Sequence, residues 1–275
     1  MTRPQTQIQA GEPGDQQGTP NVWWAILVLV VITLLAYSNA AHDKLVLDDK
    51  MFVGTESIVE LEDTSEAFSR DIWDKESVKS GLYRPLLLIS FDLETRLFGD
   101  WIVGYHLVNI LAHLVACLLL FGFLLHLLRK MGGSGKTAML AALLSAVVFA
   151  VHPAHTEVVN SVFNRSSIYV SICAILGLWW LSHWLNRQPV TAWLGLALFY
   201  SIGIFFKESA LVIPGIAVAL ILILSDKSFG ERIRRFLPVF ALLIPIVVFF
   251  YIRHLAFSTG VGDVGEVSAV GTAAG

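Results

Sequence analysis

Seven apolar segments recur between residues 22 and 254, each close to the length a helix needs to cross a bilayer. A hydrocarbon core about 30 Å thick takes roughly 20 apolar residues in helical form. With no water in that core, the backbone must satisfy its own polar groups, which leaves helices as the spanning element for runs of this kind. Only 15% of the residues are charged, against about 25% in an ordinary soluble domain. The chain therefore lacks the polar surface to face water all round. The reading is an all-α polytopic membrane protein of about seven transmembrane helices.

The apolar runs lie at about 22–40, 102–128, 137–152, 166–185, 190–206, 208–225 and 236–254. Residues 1–20 are polar and rich in Gly, Pro and Gln, and read as a disordered cytoplasmic N-terminus. A cleaved signal peptide fits them poorly. The polar lead is long, holds one basic residue, Arg3, and precedes an apolar run the length of a full span. The transmembrane domain covers 21–255, and 256–275 read as a flexible tail. The third run ends at His152-Pro153, which points to a tilted or broken helix. Pro214 and Pro245 fall inside their runs and are expected to kink them.

Sidedness follows from charge. Short connections on one side carry Arg129, Lys130, Lys136, Arg187, Lys227, Arg232, Arg234 and Arg235, whereas those on the other carry Arg165 and Lys207. An excess of lysine and arginine in short loops marks the cytoplasm. The N-terminus is thus expected inside, and the loop of about 41–101 outside. That loop carries Phe52, Ile58, Val59, Phe68, Ile72 and Trp73 at roughly helical spacing, so interfacial amphipathic helices are expected there. Trp23, Trp24, Trp101, Trp179, Trp180 and Trp184 fall near span ends, as interfacial aromatics do. Cys117 and Cys173 lie inside apolar runs and suggest neither a disulfide framework nor a metal site. The formal net charge of −3 gives no reason to expect nucleic acid.

Residues able to carry chemistry gather on the outer side. Asp48-Asp49, just after the first run, could supply a general base and an orienting or metal-binding partner; adjacent acids in a loop are more often merely solvated. Arg84, in Tyr83-Arg84-Pro85-Leu86, could grip a phosphate through its fork or snorkel to lipid. His152, His155 and Glu157 are loosely spaced like zinc ligands, but a proline breaks the helical register. Lys207-Glu208 sits in a narrow turn between two runs, where ionisable groups are costly and mark function or a local ion pair. His106, Asn109 and His113 share one helical face and suit interhelical hydrogen bonds. Met131 to Thr137 looks like a phosphate-binding loop, but Lys130 stands where the pattern needs its first glycine and no strand precedes it. It reads as a flexible cytoplasmic turn.

Taken together, Leu47-Asp48-Asp49, Tyr83-Arg84-Pro85-Leu86, Tyr105-His106-Leu107-Val108-Asn109, the stretch from His152 to Val162 and Lys207-Glu208-Ser209-Ala210 resemble the transmembrane and tetratricopeptide-repeat O-mannosyltransferases. These are members of the GT-C superfamily of polytopic glycosyltransferases, and the similarity runs over about 22–254. The resemblance implies transfer of a mannose-like sugar from a polyprenyl-phosphate carrier to an acceptor hydroxyl, on protein Ser/Thr or on a lipid. Transfer would occur with inversion at the extracytoplasmic face. Asp48 or Asp49 would be the catalytic base. Arg84, Arg165 and Lys207 would meet the departing phosphate, and His106, His155, Glu157 and Glu208 would complete the substrate-binding set. Some superfamily members use a divalent cation, Mg or Mn, and Asp48 and Asp49 would then be its ligands.

Two departures stand out. Asn164 occupies the place before Arg165 where the family usually has glycine, and no 34-residue repeat is present. The resemblance therefore implies either the N-terminal portion of a longer protein or a reduced member. Compact loops favour a bacterial inner membrane over an endoplasmic reticulum. A transporter or flippase of a lipid-linked solute is the rival reading, with a noncatalytic scaffold as a third. A transporter would place its ionisable residues near the midplane and relate two halves by a repeat; here they cluster at the outer boundary.

Overall fold

The computed structural model describes residues 21–40, 44–45, 48–54, 59, 61–73, 80–224, 230–231, 233 and 237–259. The readings for 1–20, for Leu47 and Ile58, for Lys227, Arg232, Arg234 and Arg235, and for the tail from 260 onward lie outside these residues. The described residues are helical, with no strand among them. Ten α-helices follow one another: α1 (Trp23–Ala36), α2 (Asp49–Phe52), α3 (Pro85–Phe98), α4 (Ile102–Lys130), α5 (Gly135–Val151), α6 (Ala154–Asn160), α7 (Ser166–Trp184), α8 (Pro189–Phe206), α9 (Ile213–Leu224) and α10 (Leu243–Thr259).

All seven apolar runs form helices. Four helical segments, Ile102–Lys130, Phe163–Trp184, Pro189–Phe206 and Leu237–Ser258, are long and apolar enough to cross a membrane alone. A fifth follows if α5 and α6, bent by 63° against each other, act as one broken span. That break falls at His152-Pro153, where the imide ring and the restricted residue before it end the helix. The helices Trp23–Ala36 and Glu208–Leu224 are shorter than a full span, so among the described residues four or five spans stand by length.

The prolines act differently from expectation. Pro214 and Pro245 lie in the first turns of α9 and α10, directly after 3₁₀ turns over Glu208–Val212 and Leu237–Leu242. A first turn tolerates proline because its N–H groups lack intrahelical partners anyway. The run changes from 3₁₀ to α there instead of kinking in mid-helix.

α4 is the spine of the bundle, packing on α5, α7, α1 and α3, while α7 and α8 form a closely packed hairpin. Gly195 makes that hairpin possible: a Cβ there would lie 2.1 Å from the Trp180 ring. Large apolar side chains stay exposed along the helices, among them Leu111, Leu144, Val148, Leu194, Leu198 and Val247. A soluble monomer rarely exposes so much apolar surface; on these helices it is the surface that faces lipid. Cys117 and Cys173 are free and buried, as expected. The glycine-rich turn before α5 is ordered by its own chemistry. Gly132 takes φ +88°, and Ser134 caps α5 by accepting the Thr137 N–H.

The outer loop departs from expectation as well. In place of interfacial amphipathic helices over 52–73, the described part holds only α2 and a 3₁₀ turn, Thr64–Phe68. Its apolar residues turn inward. Phe52, Val59, Leu61, Ala67 and Ile72 pack with Leu87, Leu88 and Phe91 of α3, and with Tyr105, Val162 and Phe163, in a separate small core. The regular helix of this region is α3, which begins with Pro85 in its first turn.

Candidate active site

The small outer core holds α2 against the bundle. Phe52 meets Trp73 edge-on at 5.1 Å and Phe163 at 4.7 Å between ring centroids. With α2 so anchored, the two acids separate. The Asp49 side chain points inward and is fully buried. Its Oδ1 accepts from Ser161 Oγ at 2.9 Å and from the Phe163 backbone N–H at 2.8 Å. Its Oδ2, also buried, has no hydrogen-bond partner among the described residues. Asp48, at the N-cap of α2, is exposed.

The segment Asp49 grips leads straight to further polar groups. Asn109 on α4 donates to the carbonyls of Val159 and Ser161, at 3.0 and 2.8 Å, and so holds the α6–α7 connection. Asn164 donates to Glu157 across 3.4 Å, and Glu157 is exposed. Two residues past Arg165, Ser167 accepts from Lys207 Nζ at 2.8 Å. The neighbouring Glu208 pairs with Arg84 at 3.3 Å. Burial, reinforced by the Arg84 charge, lowers the Lys207 ammonium below the usual lysine range, with Glu208 and Glu157 opposing. Hydrogen bonds thus tie Asp49, Glu157 and Lys207 to the segment from Ser161 to Ser167, and Arg84 to Glu208, the neighbour of Lys207.

Arg84 is set by the loop before it. Asp71 accepts from Ser80 Oγ at 2.7 Å and from the Gly81 N–H at 2.6 Å, while Ile72 N–H donates to the Leu82 carbonyl. Tyr83 donates its hydroxyl to the Phe68 carbonyl, and burial pushes its pKa up to about 12. Arg253 of α10 donates to the Gly81 carbonyl at 2.9 Å and strides over Phe250 and Phe257. The Arg84 Nε is buried and has no hydrogen-bond partner among the described residues, so its fork is only partly used.

Arg165, His106 and His155, expected at the substrate, are wholly or partly enclosed by protein. Arg165 is wholly buried: it pairs with Glu94 and donates to the Tyr105 and Val162 carbonyls, at 3.1 Å for each. Its guanidinium also covers the Phe91 ring at 5.2 Å. Each nitrogen of the fork has a protein partner, so Arg165 joins α3 and α4 to the connection before α7. His106 is equally buried in α4. His155 is half-buried against Phe149, 4.4 Å between ring centroids, and against His113 at 5.3 Å.

Sequence reasoning passed over Glu94, Asp71 and Arg253. Arg253 carried a usable signal, a permanent charge within an apolar helix, which is costly unless partnered, whereas Glu94 sits among Asp92 and Arg96 on the same helix and does not stand out. Asp71 carried none, because its partners are loop groups fixed by tertiary folding.

Among the described residues no three His, Cys, Asp or Glu side chains gather as a metal site. Asp49 turns inward and is fully buried while Asp48 is exposed, so the two carboxylates do not face one cation together.

This arrangement can be set beside known proteins. A protein O-mannosyl-transferase of Caenorhabditis elegans, F38B6.6, is 29% identical over 184 residues, 64% of this chain and 25% of the relative. Drosophila melanogaster Tmtc3 is 33% identical over 54% of the chain and 18% of its own length. Human TMTC4 is 29% identical over 240 residues, 78% of the chain and 31% of the relative. The chain is similar to the TMTC protein O-mannosyl-transferases. The match spans less than a third of the length of these TMTC relatives. No protein-family model and no solved structure matches the chain. The matched TMTC proteins come from animals, so they lend nothing to a bacterial inner membrane.

Proposed function

We propose that the chain is the membrane part of a glycosyltransferase of GT-C type. It moves a mannose-like sugar from a polyprenyl phosphate to a serine or threonine hydroxyl of a protein acceptor. The observation that carries this reading is the division of labour in the acid pair: Asp49 is buried and bonded to Ser161 and Phe163, while Asp48 is exposed beside it. Similarity to proteins named O-mannosyl-transferases supports the sugar and the acceptor class.

In this mechanism Asp48 accepts the proton of the acceptor hydroxyl as its oxygen attacks the anomeric carbon. The bond from that carbon to the phosphate oxygen breaks in the same step, and the configuration inverts. A positioned base of this kind is typically worth about 10²–10⁴-fold in rate. Arg84 and Lys207 stabilise the negative charge left on the lipid phosphate. Lys207 spends one of its three N–H donors on Ser167, which leaves two for phosphate. Glu208 aims the Arg84 fork, and His155 and Glu157 border the acceptor side.

The site faces the extracytoplasmic side in this reading, and the N-terminus is cytoplasmic. Arg129, Lys130, Lys136 and Arg187 all lie at the opposite ends of α4, α5 and α7, which supports that orientation. The deciding experiment measures transfer from radiolabelled polyprenyl-phosphate mannose to a Ser/Thr-rich peptide, in membranes containing the full-length protein. Transfer by wild type and its loss in Asp48→Asn are expected. No transfer by wild type across several donors and acceptors overturns the reading.

A further inference from the structure

Far from the acid pair, a cleft of ≈ 530 Å³ opens between α4 and α7, lined by Gly122, Leu125, His126, Arg129, Lys130 and Trp179. Along α4, Arg129 lies about 36 Å from Tyr105 at 1.5 Å per residue, so the cleft belongs to the other membrane surface. Gly122 is a requirement of its floor, because a Cβ there would stand 2.6 Å from the Trp179 ring.

Three nitrogen-bearing side chains converge on this cleft. Lys130 reaches across to donate to the Ser182 carbonyl on α7, which fixes its ammonium at the mouth. The His126 ring lies 5.7 Å from His183 and 6.4 Å from Trp179, and its buried Nε2 has no hydrogen-bond partner among the described residues. Arg129 is exposed and makes no hydrogen bond or ion pair among the described residues. The carbonyls at the end of α4 do not occupy it, since those of Leu127, Leu128 and Arg129 already accept from Met131, Gly133 and Gly132. Among the described residues no carboxylate lines the cleft. On the other side of Trp179 lies a second cleft of ≈ 310 Å³, walled mainly by Leu176, Trp180, Trp184 and Phe199.

A basic mouth that adjoins an aromatic, apolar groove matches an amphiphile with an anionic head and a hydrocarbon tail. We propose that this cleft is a headgroup site for an anionic phospholipid of the leaflet opposite the acid pair. Arg129 grips the phosphate through its fork, Lys130 adds a fixed charge, His126 supplies an N–H, and an acyl chain lies beside Trp179. Basic pockets between transmembrane helices recognise lipid phosphates in this way. Independent snorkelling would send these cations separately into water; here they face one cavity, and Lys130 is tethered to a neighbouring helix.

The test uses the detergent-solubilised full chain, reconstituted in nanodiscs of phosphatidylcholine with an equal share of phosphatidylglycerol. Native mass spectrometry then counts the lipids retained on the protein. Selective retention of phosphatidylglycerol is expected, with about a fivefold fall in Arg129→Gln, the share of one cation near a membrane surface. His126→Phe keeps the ring volume, removes the N–H and should lower retention further. Excess inorganic phosphate should leave retention unchanged, because acyl contacts anchor the lipid as well. Displacement by inorganic phosphate, equal retention of both lipids, or unchanged retention in a folded Arg129→Gln protein overturns the assignment.

Discussion

Asp49 and Ser161 share a 2.9 Å hydrogen bond across 112 residues of sequence, and that bond joins the loop after the first apolar run to the connection before α7. Both partners are shielded, so the contact is part of the frame. The neighbouring carboxylate of Asp48 is exposed.

Asp48→Asn should therefore remove sugar transfer by at least about 10²-fold while leaving thermal stability unchanged. Asp49→Ala strands the Ser161 hydroxyl and the Phe163 N–H, and should cost about 1–3 kcal/mol of stability together with activity. Transfer assays and melting curves on the same preparations separate the two effects. Equal melting losses in both variants would sink the division of labour.

Glu94 and Arg165 form a buried ion pair with side-chain exposures of 8% and 0%. Glu94→Ala leaves a buried guanidinium without its counter-charge, a change worth about 3–5 kcal/mol. Replacing both partners, Glu94→Leu with Arg165→Met, should recover much of that loss. Folded yield and melting temperature provide the measure. A double variant as unstable as Glu94→Ala would mean that the pair itself, and not the stranded charge, carries the stability.

Lys207 gives the reaction an alkaline limit. Its pKa is lowered by burial and by Arg84, so the charge that meets phosphate is lost at a lower pH than for an exposed lysine. Activity should fall as pH rises through that value, and Lys207→Arg should move the fall upward because guanidinium stays charged. Stability has the opposite sign. The unfolded chain holds this proton more tightly than the folded one, so the contribution of Lys207 to stability grows between the lowered value and about 10.4. An alkaline limb untouched by Lys207→Arg would remove the lysine charge from the mechanism.

Arg253 acts on the site through the Gly81 carbonyl. Arg253→Leu should loosen the loop that presents Arg84 and lower kcat about tenfold or more, since displacements near 1 Å can cost 10²-fold. Binding of the acceptor, read as KM, should change little, and Arg253→Lys should restore part of the loss. A melting temperature that falls in parallel with kcat would mark Arg253 as structural only.

Gly195→Ala probes the α7–α8 hairpin. The Trp180 ring at 2.1 Å cannot simply swing aside, because its Nε1 donates to the Thr191 carbonyl at 2.9 Å. Overpacking there should cost about 1–3 kcal/mol, visible as a lower melting temperature with the active end of the bundle intact.

The helices were readable because an apolar run in lipid has few alternatives, and the break at His152-Pro153 followed from proline chemistry alone. The prolines of α9 and α10 were misread, since a sequence window does not reveal where 3₁₀ gives way to α. The outer loop was misread for a related reason. Helical spacing of Phe52, Val59 and Phe68 describes equally well a set of residues folded onto α3. At the candidate site, types and spacing single out Asp48, Asp49, Arg84 and Lys207, but nothing local distinguishes Arg165 from Arg84. One meets Glu94, the other Glu208, and the difference in depth between those two acids appears only once α3, α4 and α7 are packed.

α4 is 29 residues long, about 43 Å at 1.5 Å per residue, against a hydrocarbon core of about 30 Å. Such a helix must tilt or protrude, and its hydrophobic mismatch changes with the membrane that holds it. Asn109 near one end steadies the loop that Asp49 grips, while Arg129 and Lys130 moor the other. Bilayer thickness thereby becomes a ruler for the molecule, setting how far the acid pair stands from the membrane surface.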